Sequence, residues 1–178
     1  MKIIIFDVET TGLPKPSLVP LDKQPYIIEF GALRVVNGKV TKKFNQLIDP
    51  GCKLPEKITK ITGITDADLV GQPSFEVVLP DIIKLFRGAD ILIAHNAPFD
   101  TSLLKFELQR LEYTKFPWPK QIICTVQEYR TLIGKWPKLT ELYANIMGKE
   151  LAQTHRALDD CIALHEILAK DKFYERIV

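Results

Sequence analysis

A disulfide framework, a membrane-length apolar run, an internal repeat and a dominant charge are all missing from this chain of 178 residues. The three cysteines, Cys52, Cys124 and Cys161, are odd in number, far apart and without metal-ligand spacing. That excludes a stapled secreted fold and a zinc site, and reads as reduced thiols in a cytosolic protein. No apolar run approaches the roughly 18 residues of a membrane span. The opening Met1–Phe6 is too short for a signal segment, and Asp7 breaks it. A soluble, cytoplasmic protein with no membrane partner is expected. A formal charge of +2 and a pI near 8.4 permit nucleic acid as a partner without arguing for it. With no repeat, low-complexity stretch or linker, residues 1–178 read as one domain.

What is present is a legible order of elements. Lys2–Val8 is a β-branched run ending in Thr10-Thr11-Gly12, the pattern of a strand buried on both faces. A loop with Pro14, Pro16, Pro20 and Pro25 follows. Residues 26–36 and 39–48 are strand-like and meet at Asn37-Gly38, a two-residue hairpin signal. Strands 1 to 3 therefore form one antiparallel sheet. Residues 50–71 are turn-rich with short helical pieces, and Ser74 caps a helix reaching about Arg87. A short buried strand over residues 90–94 leads to Asn96, the expected cap of a helix to about Leu111. A fifth strand at 121–124 precedes helices over 126–133, 139–147 and about 155–170. Strands gathered first and then interleaved with helices predict an α/β domain, a mixed five-stranded sheet flanked by helices.

Carboxylates beside buried segments carry the chemistry. Asp7 and Glu9 lie two apart on a strand, so they share a face with Cα atoms about 6.6 Å apart. They can share a cation, although a solvated acidic pair at a strand end is the plainer reading of the pair alone. Asp100 falls in the first turn of its helix, where the macrodipole alone accounts for an acid. Its setting after a buried strand, at the turn spanning His95 to Pro98, is where ligands gather in α/β sheets. In the last helix the 100° step sets Asp160 at the border of the buried stripe of Ala157, Cys161, Leu164 and Leu168. Asp159 falls on the polar face with Glu166. His155, about 140° from Asp160, belongs to the entry loop or first turn. Were the four acids to converge without a partner, each like-charged pair at about 5 Å would cost roughly 3 kcal/mol. Convergence therefore demands protons or cations, and all-oxygen ligands favour Mg²⁺ or Mn²⁺ over zinc.

Three segments can now be compared with known sequences. Asp7-Val8-Glu9-Thr10-Thr11-Gly12, Asn96-Ala97-Pro98-Phe99-Asp100 and His155-Arg156-Ala157-Leu158-Asp159-Asp160 resemble the three exonuclease motifs of the DEDDh superfamily. That superfamily includes the proofreading (epsilon) subunit of bacterial DNA polymerase III and has a ribonuclease H-like fold. The resemblance spans nearly the whole chain, including Leu54-Pro55 through Ile61-Thr62-Gly63-Ile64-Thr65 between the first two motifs. It departs at Thr62, where many proofreading members carry histidine.

The resemblance implies a 3′-to-5′ exonuclease that releases nucleoside 5′-monophosphates from DNA. Asp7, Glu9, Asp100 and Asp160 would hold two divalent cations, Mg²⁺ or Mn²⁺, about 3.5–4 Å apart. His155 would be the general base, since an imidazole is largely neutral at pH 7–8. Thr10, Thr11, Gly12, Leu13, Asn96 and Phe99 would contact a nucleic acid with a free 3′ end, single-stranded DNA or a frayed duplex. Leu13 and Phe99 would stack on or wedge between bases. Arg130, Lys135, Trp136 and Lys138 are candidates for tracking the phosphate backbone. An exoribonuclease on the same scaffold and a non-catalytic, polymerase-tethering module are the competing readings. The chain stops about 18 residues after Asp160 and carries no clamp-binding motif, so a stand-alone nuclease is expected beside possible association with a DNA polymerase.

Overall fold

Alternation along the first strand organises the molecule, which is a computed structural model describing residues 1–177. Strand β1 (Lys2–Thr10) is central in a five-stranded sheet of order β3-β2-β1-β4-β5. Strands β2 (Ile27–Val36) and β3 (Lys39–Leu47) run antiparallel, while β4 (Ile91–Ala94) and β5 (Gln121–Cys124) run parallel to β1. Asn37 and Gly38 both take positive φ (50° and 76°), the backbone that a tight two-residue hairpin demands. The mixed sheet with strands 1 to 3 antiparallel is as the sequence indicated.

Helices close both faces. Short helices α1 (Glu56–Thr62) and α2 (Asp66–Leu69) follow β3, then α3 (Phe75–Phe86) and, after β4, α4 (Ala97–Arg110). After β5 come α5 (Thr125–Glu128), α6 (Arg130–Ile133), α7 (Leu139–Met147), α8 (Ala157–Lys170) and α9 (Phe173–Arg176). Ile4, Phe6 and Val8 point towards α3 and α4, into a core built around Phe30, Phe86 and Phe116. Ile3 and Ile5 point the other way, towards α7 and α8, with Leu33, Val35, Leu164 and Ile167. A fully buried side chain of this size is worth about 1.5–3 kcal/mol, so the two clusters supply the main driving force for folding.

Three local expectations change. Ser74 stands at the N-cap of α3, yet its hydroxyl makes no cap bond. Asn96 precedes α4 in the left-handed region (φ 74°, ψ 49°) and also makes none. Capping needs an extended backbone to aim the side chain at the first-turn N–H groups, and the left-handed bend turns it away. The helix expected over 126–133 is two single turns broken at Tyr129 (φ −95°, ψ 2°). Tertiary contacts decide that break, because the Tyr129 hydroxyl donates to Asp171 Oδ2 at 2.6 Å and its ring packs by Phe173.

Candidate active site

The residues that continue the Ile3, Ile5 parity of β1 are Asp7 and Glu9, so both carboxylates emerge on the α8 side of the sheet. Across the ladder, Asp7 faces Gly31 and Glu9 faces Glu29. Gly31 is required by close approach: an added Cβ would lie 2.3 Å from the Leu158 backbone nitrogen and 2.4 Å from the Ala157 carbonyl carbon. The start of α8 thus rests directly on the strand, and Asp160 in its first turn reaches the same spot. One oxygen from each of Asp7, Glu9 and Asp160 can lie within 4.8 Å of the others. Asp159, one residue away, is exposed and accepts from the Thr154 hydroxyl at 2.8 Å.

Asp100 arrives from the opposite layer. The β1–β4 pairing runs only to Ile5, so the Val8 N–H beyond it donates to Asp100 Oδ1 at 3.2 Å. Asp100 is buried, and its Oδ2 has no hydrogen-bond partner among the described residues. Burial first, then the charges of Asp100, Glu9, Asp160 and Glu29, drive the Asp7 carboxyl well above the usual carboxylate range. Burial likewise lifts Asp100, against the opposing pull of the Val8 N–H. Glu9 is pushed up to about 8, by burial and then by Asp160, Glu29 and Asp100. Burial also raises Asp160, against the opposing effects of the Gln153 amide and nearby His155. Clustered carboxylates, a buried oxygen without a donor and an all-oxygen ligand set are the signature of a site that a hard divalent cation completes. The residues fit such an ion.

Beside the acids lies a cavity of about 490 Å³ lined by Glu9, Thr10, Thr11, Gly12, Leu13, Lys57, Ile58, Ile61, Thr62 and Phe99, among others. Leu13 is 75% exposed at its rim. Thr10 and Thr11, expected to contact nucleic acid, are bonded into the turn at its floor. The Thr10 hydroxyl donates to the Gly12 carbonyl at 2.7 Å, and the Thr11 N–H donates to the Tyr26 carbonyl at 2.9 Å. Thr11 Oγ1 accepts from the Tyr26 N–H at 3.0 Å. These groups shape the turn, leaving the cavity wall mainly apolar. Thr62 is equally committed, donating to the Ile58 carbonyl and accepting from the Ile64 N–H. Asn96 is exposed and does not line the cavity. His155 is exposed in the loop before α8, with φ +50°.

Other histidine and cationic candidates are engaged elsewhere. His95 is clamped between the Pro137 carbonyl and Thr125 Oγ1, each at 3.0 Å; the carbonyl can only accept, so Nε2 donates to it. Burial lowers the His95 pKa to about 4, and the ring stays neutral. Arg130 stacks over Trp136 at 4.8 Å, and Lys135 pairs with Glu141 at 2.7 Å, all outside the cavity lining. Sequence reasoning missed Glu29 and Gln153. Glu29 is completely buried and accepts from Arg156, Asn45 and the Ala157 N–H. Gln153 donates to Asp160 Oδ2 at 2.8 Å. The signal for Glu29 was a lone charge inside the apolar run Ile27-Ile28-Glu29-Phe30.

A mixed sheet of this topology, with carboxylates converging at the end of its central strand, defines a nuclease of the ribonuclease H-like type. The exonuclease family model RNase_T matches residues 4–168, and the chain belongs to that family. It is 34% identical over 169 residues to the DNA polymerase III subunit epsilon of Aquifex aeolicus, covering 94% of this chain and 78% of that one. It is 36% identical over 170 residues to the PolC-type DNA polymerase III of Clostridium perfringens, covering 93% of this chain but spanning only 11% of the relative's length. Among solved structures, exonuclease X in complex with 5′ overhanging duplex DNA aligns with a TM-score of 0.67 and 25% identity, covering 94% of this chain and 89% of that one. The nuclease domain of 3′hExo, a DEDDh family member bound to rAMP, shares the fold with a TM-score of 0.76 at 21% identity, covering 97% and 92% of the two chains. The DEDDh, epsilon-like resemblance read from the three motifs is borne out. Among the described residues no helix is long and apolar enough to cross a membrane.

Proposed function

We propose that residues 1–178 act as one domain that hydrolyses DNA from its 3′ end, releasing nucleoside 5′-monophosphates with two Mg²⁺ or Mn²⁺ ions. The observation that carries this reading is the meeting of Asp7, Glu9 and Asp160 oxygens within 4.8 Å, beside an apolar cavity and a buried Asp100 oxygen that has no donor among the described residues. Bound cations would neutralise the carboxylates, polarise the scissile phosphate and stabilise the attacking and leaving oxygens. Asp7, Glu9, Asp160 and Asp100 are the residues to hold them. Val8 and Gln153 each fix one oxygen of an acid, Asp100 and Asp160 respectively, so these carboxylates need little reorganisation when a cation arrives. Leu13, Ile61 and Phe99 give the terminal base an apolar surface for stacking. His155 takes the proton of the attacking water, a role supported by its place in the exposed loop that leads into α8 and Asp160. Association with a DNA polymerase, and hence a cytoplasmic setting, is supported by the likeness to the Aquifex epsilon subunit.

The test offers end-labelled single-stranded DNA, duplex DNA with a mispaired 3′ end, and RNA, each with Mg²⁺, Mn²⁺ or EDTA. DNA should shorten from the 3′ end only with metal. The His155→Ala protein should turn over about 10²–10⁴-fold more slowly while binding Mn²⁺ normally. Faster digestion of RNA would replace DNA as the substrate, and full activity in EDTA would end the metal reading.

A further inference from the structure

Five carboxylates crowd the end of this sheet, and the proposed chemistry uses only four. Glu29, the fifth, is 0% exposed and stands opposite Glu9 in the ladder. Its charge adds to the pressure on Asp7, Glu9 and Asp160. For stability alone an apolar side chain would serve as well, since a buried ion pair is often no more stabilising than a packed hydrophobic replacement.

What Glu29 does hold is the entry to α8. Its Oε2 accepts from Arg156 Nε at 3.0 Å and from the Ala157 N–H at 3.1 Å. Its Oε1 accepts from Arg156 Nη2 at 2.7 Å and from Asn45 Nδ2 at 3.0 Å. This is a forked guanidinium–carboxylate pair, which fixes orientation as well as distance. Arg156 is the residue directly after His155. On the other side of His155, Gln153 is tied to Asp160 and Thr154 to Asp159, both at 2.8 Å. His155 itself has a left-handed backbone and makes no side-chain hydrogen bond to the described residues. The imidazole is therefore free in its side chain but fastened through its neighbours, most rigidly through Arg156 to a buried acid on β2.

We infer that Glu29 and Arg156 are positioning residues for turnover, acting through the placement of His155 and contributing neither to substrate binding nor to cation affinity. The inference rests on the reading of His155 as the base. A guanidinium fork matters here because lysine cannot reproduce its two parallel bonds.

A double-mutant cycle on the whole protein tests it. Arg156→Gln and Glu29→Gln are each made alone and together with His155→Ala, and the four readouts are kcat, KM, Mn²⁺ affinity and thermal midpoint. Each single variant should lower kcat about 10- to 100-fold, as expected for a misplaced catalytic group. KM should stay within about twofold and Mn²⁺ affinity within about threefold. In the His155→Ala background the further loss should be under about threefold, because a lost base cannot be misplaced. Glu29→Gln keeps the shape and the Ala157 acceptor, so it remains informative if Arg156→Gln folds poorly. Multiplicative losses with a slow His155→Ala protein would overturn the positioning role while leaving the base assignment intact. So would a kcat loss tracked by weaker Mn²⁺ binding. A His155→Ala protein with undiminished turnover would remove both the base assignment and this inference.

Discussion

The two faces of the central sheet begin alike and end differently. Towards α3 and α4, β1 presents Ile4, Phe6 and Val8, apolar to the tip and backed by Phe30, Phe86 and Phe116. Towards α7 and α8 it presents Ile3 and Ile5, then switches to Asp7 and Glu9. One strand with period two therefore stabilises the molecule on one side and charges it on the other. The lesson is that stability and chemistry are separable here by parity alone. The aromatic face should respond to mutation in stability, the acidic face in activity.

The largest effects should come from one deletion on each face. Phe86 is fully buried, with ring centroids 5.9 Å from Phe6 and 5.0 Å from Phe116. Phe86→Ala should cost about 3–5 kcal/mol of stability, while kcat measured below the lowered midpoint stays within about threefold. Asp7→Ala should do the reverse. Turnover on end-labelled DNA should fall at least about 10³-fold, since a cation stabilises the reacting charges by several kcal/mol. Its midpoint in EDTA should hold or rise, because one of several mutually repelling carboxylates is gone. Equal loss of activity in a folded Phe86→Ala protein would abolish the division.

A smaller effect sharpens it at adjacent positions of β2. Ala32 faces the aromatic core, where its methyl is accommodated, but Gly31 faces α8 with no room for one. Gly31→Ala should cost about 1–3 kcal/mol by overpacking. It should also cut activity about 10- to 100-fold, because the displaced helix carries Asp160 away from Asp7 and Glu9. Normal turnover in a stable Gly31→Ala protein would mean that the acids tolerate a shift that their spacing argues against.

Much of this was legible in the residues. The Asn37-Gly38 hairpin could be read because only that turn chemistry suits two positive φ values, and Asp160 could be told from Asp159 by the 100° helical step. Three motifs in order located the acids before any geometry was known. What was hidden depends on partners distant in sequence. Glu29 looked like an interruption in a strand because its compensating Arg156 lies 127 residues away. Thr10 and Thr11 were expected to contact nucleic acid, yet where the β1–β2 register shifts after Glu9 the Thr10 hydroxyl bonds to Gly12 and the Thr11 N–H to Tyr26. Asn96 looked like a cap because residue type does not announce a left-handed backbone.

The smallest expected effect concerns protons, and it again separates the faces. In the folded, metal-free protein Glu9 holds its proton up to about 8, whereas the unfolded chain releases it near 4.5. Between those values the native state holds a proton on Glu9 that the unfolded chain has lost, so the Glu9 contribution falls as pH rises. His95, kept neutral by burial, gives the opposite slope below about 6.5, so the Glu9 slope is read above that value. Glu9 keeps an edge to water, so its share should be about 1 kcal/mol, on the order of 3 °C in Tm between about pH 6.5 and 8 in EDTA. Glu9→Gln should reduce that slope, leaving the part owed to Asp7 and Asp100. Phe86→Ala should lower the whole curve without changing its tilt, since Phe6, Phe30, Phe86 and Phe116 carry no ionisable group. Saturating Mn²⁺ should remove the tilt, because a cation takes the place of the proton and its binding should release acid measurably in weak buffer. A metal-free Tm that is level across this range, or a tilt that neither Glu9→Gln nor Mn²⁺ reduces, would show that the acidic end of the sheet is not held under the charge pressure its geometry implies.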